Sequence, residues 1–72
     1  MDQDEKIRLI EEIMELEPGV LSEESILEEY DEWDSLTVIS YMALIDARFH
    51  KSISIERIKH FVTVGDAIRE MQ

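Results

Sequence analysis

No cysteine occurs in this chain of 72 residues, which excludes disulfides and thiolate metal sites. Stability must then come from packing alone, in a domain near the lower size limit for an unaided core. Proline and glycine are scarce, with one proline and two glycines, so the chain carries few backbone breaks. Only five residues are aromatic, which requires a mostly aliphatic core. No apolar run approaches the roughly 18 residues needed to span a membrane. The opening segment "MDQDEKIRLI" is acidic and lacks the apolar stretch of a signal peptide. The expectation is one cytoplasmic domain covering residues 1–72, with no membrane partner.

Positive charge is also sparse. Seven Lys and Arg face 18 Asp and Glu, a net charge of −11. Such a chain repels phosphate backbones, so nucleic acid is excluded as a partner and basic proteins are favoured. The charge is unevenly placed. Residues 1–35 hold 14 acids and 2 bases, whereas residues 36–72 hold 4 acids and 5 bases. The acidic field belongs to the first half, which ends at Ser35.

What remains is helical periodicity. Apolar residues Ile7, Ile10, Ile13 or Met14, with Leu9 and Leu16, predict a helix over 3–16. Pro18 and Gly19 in "EPG" are expected to end it. Residues 18–34 form a long connection whose Val20, Leu21, Ile26 and Leu27 are expected to enter the core, with a short helical turn in "ESILEE". A connection this long in a small domain tends to be functional or heavily packed. Residues 35–49 give the strongest helix, with Ile39, Met42, Ile45 and Phe49 on one face. Asp34 is its N-cap, and Trp33 with Val38 occupies the positions of a hydrophobic staple. "SISIERIKHF" reads as a turn followed by a short helix from about Ile55 to His60, capped by Ser54. Thr63 then caps a last helix, with Asp66 completing a capping-box variant; Ala67, Ile68 and Met71 face inward. The sum is an all-α four-helix bundle with a long first loop and a short third helix.

The chemistry centres on "DEWDSLTVI", residues 31–39. A nucleophilic serine needs a base within hydrogen-bond reach. His50 lies roughly four helical turns from Ser35, ~22 Å along the axis, so no dyad is expected, and both histidines read as surface residues. The carboxylates of "EEYDEWD" lack the calcium-loop pattern, and nothing implies a cleft that would divide two carboxylates into acid and base. Two readings of Ser35 stand. Asp34-Ser35 is a helix-capping pair, or Ser35 is displayed at a helix start where a phosphate-linked group would be welcome.

Asp34-Ser35-Leu36 resembles a motif of the acyl carrier proteins and the related peptidyl and D-alanyl carriers. That family places Asp-Ser-Leu at the start of the second helix of a four-helix bundle. The register Ile39, Met42, Ile45, Phe49 is similar to the family's second helix, Ile53 to the buried residue of the following loop, and "FVTVGDAI" to the beginning of the last helix, with Thr63 and Val64 at matching places. The pattern lies over residues 33–71 without a gap. The first helix and long loop fit in length and acidity but carry no specific motif. The resemblance implies an acyl-carrier-like fold, not an enzyme. Ser35 would carry a 4′-phosphopantetheine arm taken from coenzyme A by a phosphopantetheinyl transferase. Asp34 would help present it to the transferase and its magnesium, and Leu36 would be an apolar contact for transferase and partner enzymes. Trp33, Val38 and Arg57 are further candidate contacts, the first two with the staple as a competing role. The monomeric carrier would hold acyl or aminoacyl cargo as a thioester for an acyl-activating ligase or synthase.

The chain departs from the fatty-acid carriers in its charges. Thr37 and Ser40 stand where those carriers place acids, and the third helix holds Arg57, Lys59 and His60 instead of an acidic face. This points to a specialised stand-alone carrier. Met42, Ile45, Ile58 and Phe61 are candidate liners of an acyl shelter, with plain core packing as the competing role. The rival class is an unmodified acidic interaction module, an inhibitor or adaptor that uses the acidic half to bind a basic partner.

Overall fold

The computed structural model describes all 72 residues as an all-helical domain with no strands. Helix α1 spans Gln3–Ile13, α2 Ser35–Phe49, α3 Ile55–Lys59 and α4 Val64–Arg69. Helix α1 packs against α2 and α4, and α3 packs on α2.

Asp2 caps α1 by accepting the Glu5 N–H at 2.8 Å. The helix ends earlier than the expected residue 16, and Pro18 does not end it. Glu15 takes a left-handed conformation, φ 58°. Its N–H donates to the Glu12 carbonyl (3.1 Å) and the Leu16 N–H to the Glu11 carbonyl (2.8 Å). That is a Schellman closure, which satisfies the last carbonyls and turns the chain. A non-glycine residue holds the left-handed position, so composition gave no signal for it.

The connection from α1 to α2 is heavily packed. Leu21 and Leu27 are buried, Ile26 is half-buried, and Leu27–Glu29 forms a 3₁₀ turn. Val20 corrects the expected core set, because it is exposed. Gly19 and Leu21 both aim their N–H groups at the Glu11 carboxylate, 2.9 Å each, which turns the intervening side chain outward. Gly19 itself has φ 90°, a conformation that favours glycine. Further along, the loop pairs with the α3–α4 connection through Leu27 N–H to Val62 carbonyl, Val64 N–H to Ser25 carbonyl and Gly65 N–H to Glu23 carbonyl. Backbone groups that a buried loop would leave unpaired are thereby satisfied. A side chain at Gly65 would come within 3.2 Å of the Glu23 carbonyl oxygen.

The inward face of α2 is rotated from the expected one. Thr37, Tyr41 and Ile45 are buried, Met42 and Phe49 are half-buried, and Ile39 is 58% exposed. The register breaks at Tyr41, an amphipathic residue whose body fills the core while its hydroxyl finds a partner there. That hydroxyl donates to the Ala67 carbonyl at 2.6 Å. Burial, with the nearby Glu70 carboxylate, pushes the phenol above its usual range, so it stays a donor.

Ser54 caps α3 by accepting the Arg57 N–H at 3.1 Å. Thr63 and Asp66 form the expected capping box at α4. Five residues make a marginal helix on their own, and α3 is tied down by Glu70. Its Oε2 accepts from Arg57 Nη2 at 2.8 Å and Nε at 2.9 Å, and its Oε1 pairs with Lys51 at 3.2 Å.

Candidate functional site

The start of α2 combines exposed Ser35 and Leu36 with buried Thr37. Asp34 has extended backbone and its Oδ1 accepts the Thr37 N–H at 3.0 Å. This bond holds the Asp34 carboxyl below its ordinary value. Thr37 Oγ1 donates to the Glu32 carbonyl at 2.6 Å, fixing the angle at which the loop enters the helix. Ser35 is the first residue of α2, exposed, and outside both of these bonds. With Thr37 N–H on Asp34 Oδ1 and Val38 N–H on the Asp34 carbonyl (3.0 Å), the Ser35 N–H lies ahead of the helix ladder, where N–H groups have no intrahelical acceptor.

Ser35 borders a groove of about 630 Å³ between α2, α3 and the loop. Leu27, Trp33, Val38, Ile58 and Phe61 give it apolar walls, Ile39 and Ile55 stand at its exposed edge, and Glu28, Asp34 and Lys59 supply its charge. The wall is rigid. Trp33 meets Tyr41 edge-on at 5.9 Å, and Tyr41 meets Phe61 edge-on at 5.7 Å. Trp33 and Val38, the staple pair, both face this groove.

Leu36 points elsewhere. It is 74% exposed and lines a second, more polar hollow with Glu15, Glu32, Asp34, Thr37 and Ser40. Ser35 and Leu36 thus sit on a ridge between an apolar groove and an acidic one.

Several expected residues are not gathered here. Arg57 turns toward Glu70 and lines a different hollow, with Lys51, His60 and Arg69. The cation in the Ser35 groove is Lys59. Of the four candidate liners, Ile58 and Phe61 face the groove, Ile45 is closed inside the core, and Met42 lines a shallow hollow with Ile39, Ala43, Ile53 and Ile55. Neither histidine borders the groove: His50 follows the far end of α2, and His60 Nδ1 faces the Glu56 carbonyl at 2.9 Å. The carboxylates do not gather into a group of three or more able to hold a metal ion, and no helix is long and apolar enough to cross a membrane.

Sequence reasoning also missed Glu11. It is 1% exposed, and its Oε2 clamps the loop while Oε1 is buried without a partner. The signal was positional, because Glu11 falls between Ile7 and Met14 at spacings of four and three, on the apolar stripe. The chain matches no family model, no curated protein and no solved structure.

Proposed function

We propose that the chain is a carrier protein, an acyl-carrier-like four-helix bundle that holds acyl or aminoacyl cargo on a 4′-phosphopantetheine arm at Ser35. The observation that carries this reading is the placement of Ser35. An exposed hydroxyl stands at the first position of a 15-residue helix, beside a free backbone N–H, with no histidine in the adjoining groove to make it a nucleophile for its own catalysis. A phosphodiester there gains from the helix dipole and the unpaired N–H. The chemistry that attaches it belongs to a transferase. The Ser35 Oγ attacks the β-phosphorus of coenzyme A, the phosphoanhydride bond breaks, 3′,5′-ADP leaves, and the serine proton passes to a base of the transferase. Once attached, the arm ends in a thiol that holds the cargo as a thioester.

Asp34 keeps Ser35 presented by fixing the first turn. Leu36, projecting into solvent, supplies an apolar contact for the transferase and for an acyl-activating ligase or synthase. The near-neutral surface after Ser35 suits a specialised pathway. Incubation with coenzyme A and a broad-specificity phosphopantetheinyl transferase, followed by intact mass measurement, tests the reading. One adduct is expected, and none in Ser35→Ala. No adduct, or one that persists in Ser35→Ala, overturns it and leaves the unmodified acidic interaction module.

A further inference from the structure

We propose that Lys59 is a positioning residue for the arm: it pairs with the phosphodiester on Ser35 and lays the arm along the α2–α3 groove. This rests on the carrier reading above. Three observations meet in it. Lys59 and Ser35 border the same groove, on α3 and α2 respectively. Lys59 lies within ion-pair distance of no carboxylate, whereas the neighbouring cations Lys51, Arg57 and Arg69 are each paired. The groove also presents apolar walls without an occupant from this chain, edged by Ile39 and Ile55 at 58% and 45% exposure.

The electrostatics set the sign. Asp34 and Glu28 border the groove too and repel a phosphodiester. Lys59 is the groove's one cation and therefore decides whether the arm lies in it or swings free. A lysine ammonium on a flexible stem suits a single phosphate charge that needs no bidentate geometry. Helix α3 can hold this position because Arg57, two residues earlier, anchors it to Glu70.

The experiment compares apo and phosphopantetheinylated forms of the wild type, Lys59→Gln and Lys59→Arg. The readouts are emission from Trp33, the chain's only tryptophan and a groove wall, and the backbone amide shifts of Ile39 and Ile55. Attachment of the arm is expected to move all three in the wild type. Lys59→Gln lowers the ratio of docked to free arm about two- to fivefold, the range of one exposed ion pair, and Lys59→Arg restores it. Added salt at 0.5 M or so weakens docking in the wild type and changes little in Lys59→Gln. A variant carrying a neutral thioester cargo behaves as the bare arm does, because the phosphodiester is the partner; an effect of Lys59 seen only with a carboxylate-bearing cargo overturns the assignment to phosphate. An adduct that forms normally but leaves Trp33, Ile39 and Ile55 unmoved, or moves them equally in Lys59→Gln, overturns the inference alone. Absence of any adduct overturns the carrier reading and the inference with it, and the mass measurement separates the two cases.

Discussion

Tyr41 donates its hydroxyl proton to the carbonyl of Ala67 at 2.6 Å, joining α2 to α4 through the middle of the core. Ala67 lies in the last turn of a six-residue helix, where carbonyls have no intrahelical donor. Tyr41→Phe keeps the ring and its contacts with Trp33 and Phe61 but leaves that carbonyl unpaired. A loss of about 1–2 kcal/mol is expected, read as a fall of several degrees in Tm. Faster amide exchange in α4 than in α1 would locate the effect.

Glu11 holds the loop by accepting two N–H groups on one oxygen. Glu11→Ala removes the acceptor and leaves the Gly19 and Leu21 N–H groups buried or half-buried, at a cost of about 2–3 kcal/mol. Glu11→Gln retains one oxygen for the same two donors and is expected to cost about 1 kcal/mol less than Ala. Chemical denaturation of the three proteins checks the order.

The Asp34 cap makes stability depend on pH. The Thr37 N–H holds the folded carboxyl below its ordinary value of 3.8. The stabilisation is therefore present above the unfolded value and lost as pH falls through the folded one. Asp66 is lowered in the same direction by the Val62 and Thr63 N–H groups. The stability difference between wild type and Asp34→Ala is expected in full at pH 7 and to shrink at pH values below about 4. Asp34→Ala is also expected to slow phosphopantetheinylation by more than its loss of stability explains, which modification rates at a temperature well below Tm measure.

Ser35→Ala serves as the control for the carrier reading only if it folds normally. Ser35 is exposed and takes no part in the cap, so its substitution is expected to change stability by no more than about 0.5 kcal/mol. A thermal melt superimposable on the wild type is the expected result.

The Glu70 carboxylate, with a side chain 12% exposed, anchors both Lys51 and Arg57. Glu70→Gln is expected to cost about 1 kcal/mol, discounted for the exposure of the Arg57 guanidinium. Because α3 is short, amide exchange of Ile58 and Lys59 should rise before that of α2. The same variant loosens the platform of Lys59, so it is also expected to weaken arm docking.

Much of the fold was legible because it rests on local patterns. Asp34, Ser54 and Thr63 are short polar side chains placed one residue before apolar helical runs, and each accepts the N–H that such a position predicts. Leu21 and Leu27 were expected inside on hydrophobicity, Ile53 from the resemblance and Ile58 as a core or shelter residue, and all four are buried. The misses are places where a distant partner outweighs local preference. Ile39 looks more apolar than Tyr41 or Thr37, yet it lies outside, because Tyr41 finds the Ala67 carbonyl and Thr37 the Glu32 carbonyl. Arg57, expected as a partner contact, is held by Glu70, and Glu11 is held against the Gly19–Leu21 loop, partners that come into reach only when the elements assemble.

The sequence alone determined the helical class, the N-caps of α2, α3 and α4, the acidic first half and the exposed serine at the start of α2, since these depend on residues within a turn or two of each other. Only the tertiary structure decided which face of α2 is buried, that Glu11 clamps the loop, and that Lys59 rather than Arg57 shares a groove with Ser35. Those relations join residues up to 26 positions apart. Spacing along one helix cannot report them, because they are set by how the helices rotate to satisfy buried polar groups and exclude water from apolar surface.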